Sequence, residues 1–406
     1  MKNNWLILLT FLLLFIGSNV LPYIGLESNV FFTLTILMAI PMCWIQRRNI
    51  LSNKPLFFLL ILICVYGLLK LYSDKGEGTK TILVQISGAP LIFSTFPFIF
   101  YKNKHTELWH TITKLIFYAF ILETGLAIVE RLLNQNILGW NIGNEIIFIG
   151  DKESADFRST ALYGHPLYNA LMVSTIMSFI LISPIKDKYK YILWGMGYVA
   201  ILCFNTRASI VGNALLMIVY LGNSIFSRTL SLKNKMKIIF SVIILSCIAV
   251  SLFLNAGFGN RILEMGLFDE NSAQVRIDIW SIFNYIKLED LLWGISHKDM
   301  QYLLYMGGLY ATENFWIDQI LRLGIIFCLF YWGTLFIFIN KLYKEYTFFN
   351  KSFTFCTFFL IASTNNSLSS NYLALFQFLL LIVTFNPKNN KNISSIFTRN
   401  AKSSKA

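Results

Sequence analysis

Apolar residues fall along this chain in long runs separated by short polar stretches, and the runs have the length that crosses a bilayer as helix. Twelve can be drawn, at 5–21, 30–45, 55–72, 81–101, 112–133, 161–182, 189–204, 208–226, 236–254, 314–340, 352–363 and 371–386. The eleventh, short and rich in Ser and Thr, is the weakest. The pattern predicts an all-α integral membrane protein, a single polytopic bundle of about twelve transmembrane helices over residues 1–406. Two connections on the predicted outer side are long, at 134–160 and 255–312. The larger carries Val275, Ile279, Ile282, Phe283 and Ile286 at helical spacing, which predicts a short amphipathic helix on the membrane surface or over the bundle. An apolar turn at 291–295, a Gly307-Gly308 break and the pair Glu313-Asn314 then lead into the tenth run. No internal repeat is visible, which counts against transporters built from inverted repeats.

Composition agrees with this reading: 56% of residues are hydrophobic and 14% charged, too little charge to cover a water-facing globule. Cytosolic enzymes, nucleic-acid readers and secreted disulfide scaffolds are thereby excluded. The net charge of +13 then concerns orientation rather than nucleic acid. With a cytoplasmic N-terminus, Lys2, the inner connections with their span edges and the basic tail at 387–406 together hold 22 of the 34 basic residues, against Glu107, Asp187 and Glu345 as their acidic ones. Both termini are expected in the cytoplasm and the two long loops outside. The first run resembles a signal-peptide core, but no A-x-A site follows, so it reads as an uncleaved anchor. All six cysteines lie inside apolar runs, which leaves no disulfide framework for the outer loops.

The chain has no Walker A, H-E-x-x-H, C-x-x-C or Rossmann pattern. No inner connection exceeds about 20 residues, so a substrate is expected at the outer face or within the bilayer. No metal or cofactor is expected, although Glu27, Asp74 and Glu77 in the early outer loops leave a metal-dependent variant open. On the outer side stand Arg158 in F-R-S-T-A-L-Y-G-H-P, Arg207 in N-T-R-A-S, Arg276 in the large loop, and Glu313-Asn314 with Asp318 and Arg322 further along. Arginines grouped there suit a diphosphate, because the planar fork makes paired charge-assisted bonds; taken singly, each reads first as interfacial snorkelling or a structural ion pair. Asp318 and Arg322, at i and i+4, read most simply as such a pair. Glu313 fits either a helix cap or a general base. His165 reads as a hydrogen-bonding core residue or a substrate contact. Glu123 and Glu130, two turns apart with Arg131 adjacent, read as an intramembrane polar seam.

The order of F-R-S-T-A-L-Y-G-H-P, N-T-R-A-S, V-R-I-D-I-W, L-L-W-G-I and E-N-F-W-I-D-Q-I-L-R-L-G-I-I, over about residues 110–340, resembles the O-antigen polymerase and O-antigen ligase family. The resemblance implies an inner-membrane glycosyltransferase that uses glycans linked to undecaprenyl diphosphate on the outer face of the bacterial cytoplasmic membrane. It implies that Arg207 and Arg276 hold the lipid diphosphate and that Arg158 borders the site. His165, Asn314 and Arg322 become candidate substrate contacts. Glu313 occupies the place where ligase members carry His before Asn, and this departure favours a polymerase of O-antigen, capsule or exopolysaccharide repeat units, with Glu313 as base. The expected partners are a lipid-linked oligosaccharide donor and acceptor, the bilayer and a chain-length regulator. Two alternatives stay open: a ligase that moves the finished glycan to lipid A core or protein, and a non-enzymatic flippase.

Overall fold

The computed structural model describes residues 2–73, 79–96, 106–142, 145–147, 157–226, 278–309, 312–370 and 372–389, with isolated helical positions at 236, 240, 244, 247 and 251. Most of the ninth run, Asp74 and Glu77, Asp151 to Asp156, Arg276 and most of the basic tail lie outside the described residues. The bundle is built from α1 (Lys2–Phe15), α2 (Ser28–Ile45), α3 (Arg47–Ser52), α4 (Lys54–Ser73), α5 (Thr79–Ser94), α6 (Thr106–Leu133), α7 (Pro166–Ile182), α8 (Asp187–Phe204) and α9 (Arg207–Phe226). After the large loop come α10 (Leu288–Trp293), α11 (His297–Met306), α12 (Phe315–Leu323), α13 (Ile325–Leu342), α14 (Phe348–Ser363), α15 (Ser367–Ser370) and α16 (Leu373–Thr384).

Two helices form the centre. In α7 every residue but Leu167 and Ile182 is buried, and in α16 every residue is. A helix apolar on all sides finds no amphipathic surface to occupy and goes to the middle. Around them α7 meets α8 and α14, α6 meets α1 and α8, α5 meets α2, α4 and α16, and α4 meets α13. Stacked rings such as Phe358 on Phe378, 4.2 Å apart, fill the space between helices. The outer flanks are themselves apolar: Leu68, Leu215, Ile218, Leu329 and Ile337 are all exposed. Among the described residues, three helices, Glu107–Leu133, Arg207–Phe226 and Ile325–Glu345, are long and apolar enough to cross a membrane, and five shorter apolar helices accompany them. The described residues thus form a helical bundle of membrane type.

Several boundaries differ from the sequence expectation. The first run is helical only to Phe15 and then turns through a 3-10 stretch at Leu21–Ile24, where Pro22 presets the bend. The sixth begins at Pro166 rather than 161, because residues 157–165 are a buried, non-helical segment. The loop at 134–160 is not purely irregular, since Trp140–Ile142 pairs antiparallel with Glu145–Ile147. The described part of the amphipathic stretch in the large loop is a 3-10 turn, Ile279–Asn284, with Ile279 and Ile282 buried. It packs over the bundle, in a small separate core with Ile295, Met300, Leu309, Ile317 and Leu321.

The tenth run is two helices. Gly324 breaks it at φ +79, ψ 149, a backbone region that only glycine occupies readily. Gly294, at φ +82 and ψ 157, lies against it: a Cβ on Gly294 would stand 2.5 Å from the Arg322 carbonyl oxygen and 2.7 Å from the Gly324 nitrogen. The two backbones cross there, and Ile295 N donates to Leu321 O at 2.8 Å.

The ends of the helices sort as alternation requires. At one end Lys341 donates to Asn53 Oδ1 at 3.2 Å, and Lys388 pairs with Glu345 at 2.8 Å. At the other, Asn19 N donates to Leu162 O, Tyr23 OH to Leu138 O and Ser159 N to Cys203 O. Connections predicted to share a side therefore meet one another.

Candidate functional site

The second of these ends holds the site. Its foundation is the segment 157–165, whose backbone is buried without helical partners and so needs acceptors from elsewhere. The C-terminal half of α6 supplies them. Glu130 Oε2 accepts from Thr160 N at 2.8 Å and Ala161 N at 3.0 Å, and its Oε1 accepts from Ile137 N at 3.0 Å. Seven residues earlier, on the same face of α6, Glu123 Oε2 accepts from Leu162 N at 3.1 Å. Asn136 and Asn19 both donate to Thr160 Oγ1, and Asn169 donates to Thr160 O at 2.5 Å. The polar seam expected from Glu123 and Glu130 is thus a cradle for irregular backbone inside an apolar bundle, where a hydrogen bond is stronger than in water.

This cradle fixes the arginines. Arg158 follows Phe157 at the start of the segment, its Nε buried and its carbonyl oxygen bonded by Asn136 Nδ2 at 3.2 Å. The next residue, Ser159, donates from its backbone N to Cys203 O at 3.1 Å, joining the segment to the turn between α8 and α9. Asn205 closes α8 in the left-handed conformation at φ 53, and Arg207 opens α9 directly after Thr206. Arg158 and Arg207 therefore stand on adjoining segments at one end of the bundle.

A third arginine joins them. Arg131, on the last turn of α6 and 7% exposed, donates from Nη1 to Phe157 O at 3.3 Å and lies over the Phe157 ring at 5.8 Å. Sequence reasoning passed over it as an appendage of Glu130, although a charged triple of Glu123, Glu130 and Arg131 inside one span-length run was the available signal.

His165 is the residue before α7 and is exposed at its surface. The protein around the ring, and secondarily the nearby Arg158 charge, push its pKa down to about 4. Solvent at the open face screens part of this shift, but its direction leaves the imidazole neutral near pH 7. The positive charge of this end then belongs to the arginines, and His165 offers one donor and one acceptor nitrogen.

The remaining candidates separate into two places. Asn314 Oδ1 accepts from Trp316 N at 2.9 Å and Ile317 N at 3.3 Å, so Asn314, not Glu313, caps α12. Glu313 stands one residue outside the helix and half-buried. This edge is tied to the loop after α14 by Phe315 N to Asn365 O at 3.1 Å and Trp316 Nε1 to Ser363 Oγ at 2.9 Å. The short α15 that follows Asn365 packs against both α12 and α7, which links Glu313 to the helix that His165 precedes. Arg322 lies at the other end of α12. Its Nε meets Asp318 Oδ1 at 3.0 Å, the same oxygen accepts from Thr312 Oγ1 at 2.7 Å, and the Arg322 carbonyl accepts from Tyr66 OH on α4. The ion-pair reading of Asp318 and Arg322 holds in the structure. Arg276 lies outside the described residues.

No protein-family model matches the sequence, and no curated protein was found to be similar to it.

Proposed function

We propose that this protein is a membrane glycosyltransferase that polymerises saccharide repeat units carried on undecaprenyl diphosphate, at the outer face of the bacterial cytoplasmic membrane. The observation that supports it is the bond from Ser159 N to Cys203 O, through which Arg158 and Arg207 come to adjoining segments beside Arg131. Arginine forks gathered at the end of an apolar bundle suit a diphosphate that gains charge as it leaves a sugar. In this reading the acceptor hydroxyl attacks the anomeric carbon and gives its proton to the Glu313 carboxylate. The bond from that carbon to the phosphate oxygen breaks, the arginines neutralise the departing lipid diphosphate, and the anomeric configuration inverts. Asn314 does the capping, which frees the reading of Glu313 from the helix terminus. Neutral His165 orients a sugar hydroxyl, and the family resemblance assigns Arg276, outside the described residues, to the same diphosphate. A chain-length regulator acts as an accessory partner.

The test is the glycan made by cells carrying Arg207→Lys, Arg207→Ala or Glu313→Gln. The expected result is loss of long chains with normal membrane levels of protein, a fall of about 100-fold or more in transfer for each. Glu313→Gln should still bind donor. Normal chain ladders in these variants remove the clamp and the base, and long lipid-linked chains accumulating in a deletion strain point instead to a ligase.

A further inference from the structure

Away from Arg131, Arg158 and Arg207, α4, α10 and α13 border a cavity of about 560 Å³. Leu62, Val65, Leu69, Ile326 and Phe330 form its wall, and Val65, Leu69 and Phe330 also lie on the exposed apolar flank of the bundle. The cavity therefore opens sideways onto the surface that faces lipid in a bilayer. One end is charged. Lys70 is 7% exposed and its Nζ reaches Gly294 O at 3.5 Å, at the crossing with Gly324. Glu289 and Asp290, in the first turn of α10, line the cavity beside it, as does the exposed Trp293.

The charges select among amphiphiles. Among the described residues, one ammonium and two carboxylates line this end, a net negative balance that disfavours a diphosphate or any lipid whose head is purely anionic. A head with both signs is matched: its phosphate meets Lys70 and its cation meets Glu289 and Asp290. A primary ammonium donates three hydrogen bonds to carboxylates, and a quaternary one donates none. We infer that this cavity binds one zwitterionic phospholipid with an ethanolamine head, its acyl chains along α4 and α13. The seat is independent of the arginine cluster and of glycosyl transfer. It couples the outer turn of α10 to α4 through a lipid that bridges them.

The test is thermal unfolding and native mass spectrometry of the full chain in detergent with phosphatidylethanolamine, phosphatidylcholine or phosphatidylglycerol added at equal mole fraction. Phosphatidylethanolamine is expected to be retained at one per chain and to raise the unfolding temperature most. In the double variant Glu289→Gln with Asp290→Asn, which alters only the rim, its affinity should fall about ten-fold to the level of phosphatidylcholine. Lys70→Gln should weaken both zwitterionic lipids alike; if that variant does not fold, the rim variant decides alone. Equal effects of all three lipids, a preference for phosphatidylglycerol, retention of a glycolipid instead, or an ethanolamine preference that survives the rim variant would each overturn the assignment.

Discussion

Glu130 carries more of the site than any arginine does, because three backbone N–H groups of irregular chain end on its two oxygens. Removing the carboxylate leaves those donors buried and unpaired, at about 1–3 kcal/mol each. Glu130→Ala is therefore expected to lower the unfolding temperature in detergent sharply and to reduce the amount of protein in the membrane. Glu130→Gln retains one acceptor oxygen, so it should lie between wild type and Ala. Glu123→Gln should cost least, since Glu123 receives a single N–H from Leu162 and its second oxygen has no partner among the described residues. The order Ala, then Gln at 130, then Gln at 123 is read from thermal unfolding; a Glu130→Ala protein as stable as wild type would mean that the 157–165 segment does not depend on this carboxylate. The sequence made both glutamates visible as charges within an apolar run. It did not show what they serve, because their partners are main-chain atoms, all but Ile137 N thirty or more residues away, and main-chain atoms leave no trace in residue identity.

At the scale of helices, hydropathy located most of the elements and missed their breaks. An apolar average over a span-length window passes straight through Gly324, since Leu323 and Ile325 on either side are as apolar as any span residue. The break became a property of two glycines only when 294 and 324 met. Each occupies a positive φ, and each leaves no room for a Cβ beside the other's backbone. Gly324→Ala and Gly294→Ala are each expected to destabilise by about 1–3 kcal/mol from backbone strain alone. Because both substitutions push the same two chains apart, the double variant should cost less than the sum of the singles, measured as a double-mutant cycle on unfolding free energy. Strict additivity would show that the two sites strain independently and that the crossing does not hold α12 against α10. The boundary at Pro166 has the same origin: proline and the buried backbone before it are local facts that a run of A-L-Y-G does not announce by polarity.

For the molecule as a whole, the distribution of basic residues and the packing converge on one arrangement by separate routes. Charge counting assigns the connections near Lys54, Lys341 and Lys388 to one side of the membrane and the connections near Glu289 and Arg207 to the other. In the fold, Lys341 reaches Asn53 and Lys388 reaches Glu345, and the segments of Arg158 and Arg207 join at the opposite end. The packing shows which connections share an end, and the charge count supplies the expectation for which end is cytoplasmic. Single cysteines separate the two arguments. In a background with the native cysteines replaced, Glu289→Cys is expected to react with an impermeant maleimide on intact cells, and Lys344→Cys only after the membrane is opened. The reverse pattern would preserve the bundle and invert its orientation, carrying the arginine cluster to the cytoplasmic side and removing the outer-face reaction. Labelling of both positions from one side would be more damaging, because α13 runs from the Gly324 crossing to Lys341 as one span, and its two ends cannot share a side without breaking the helix itself.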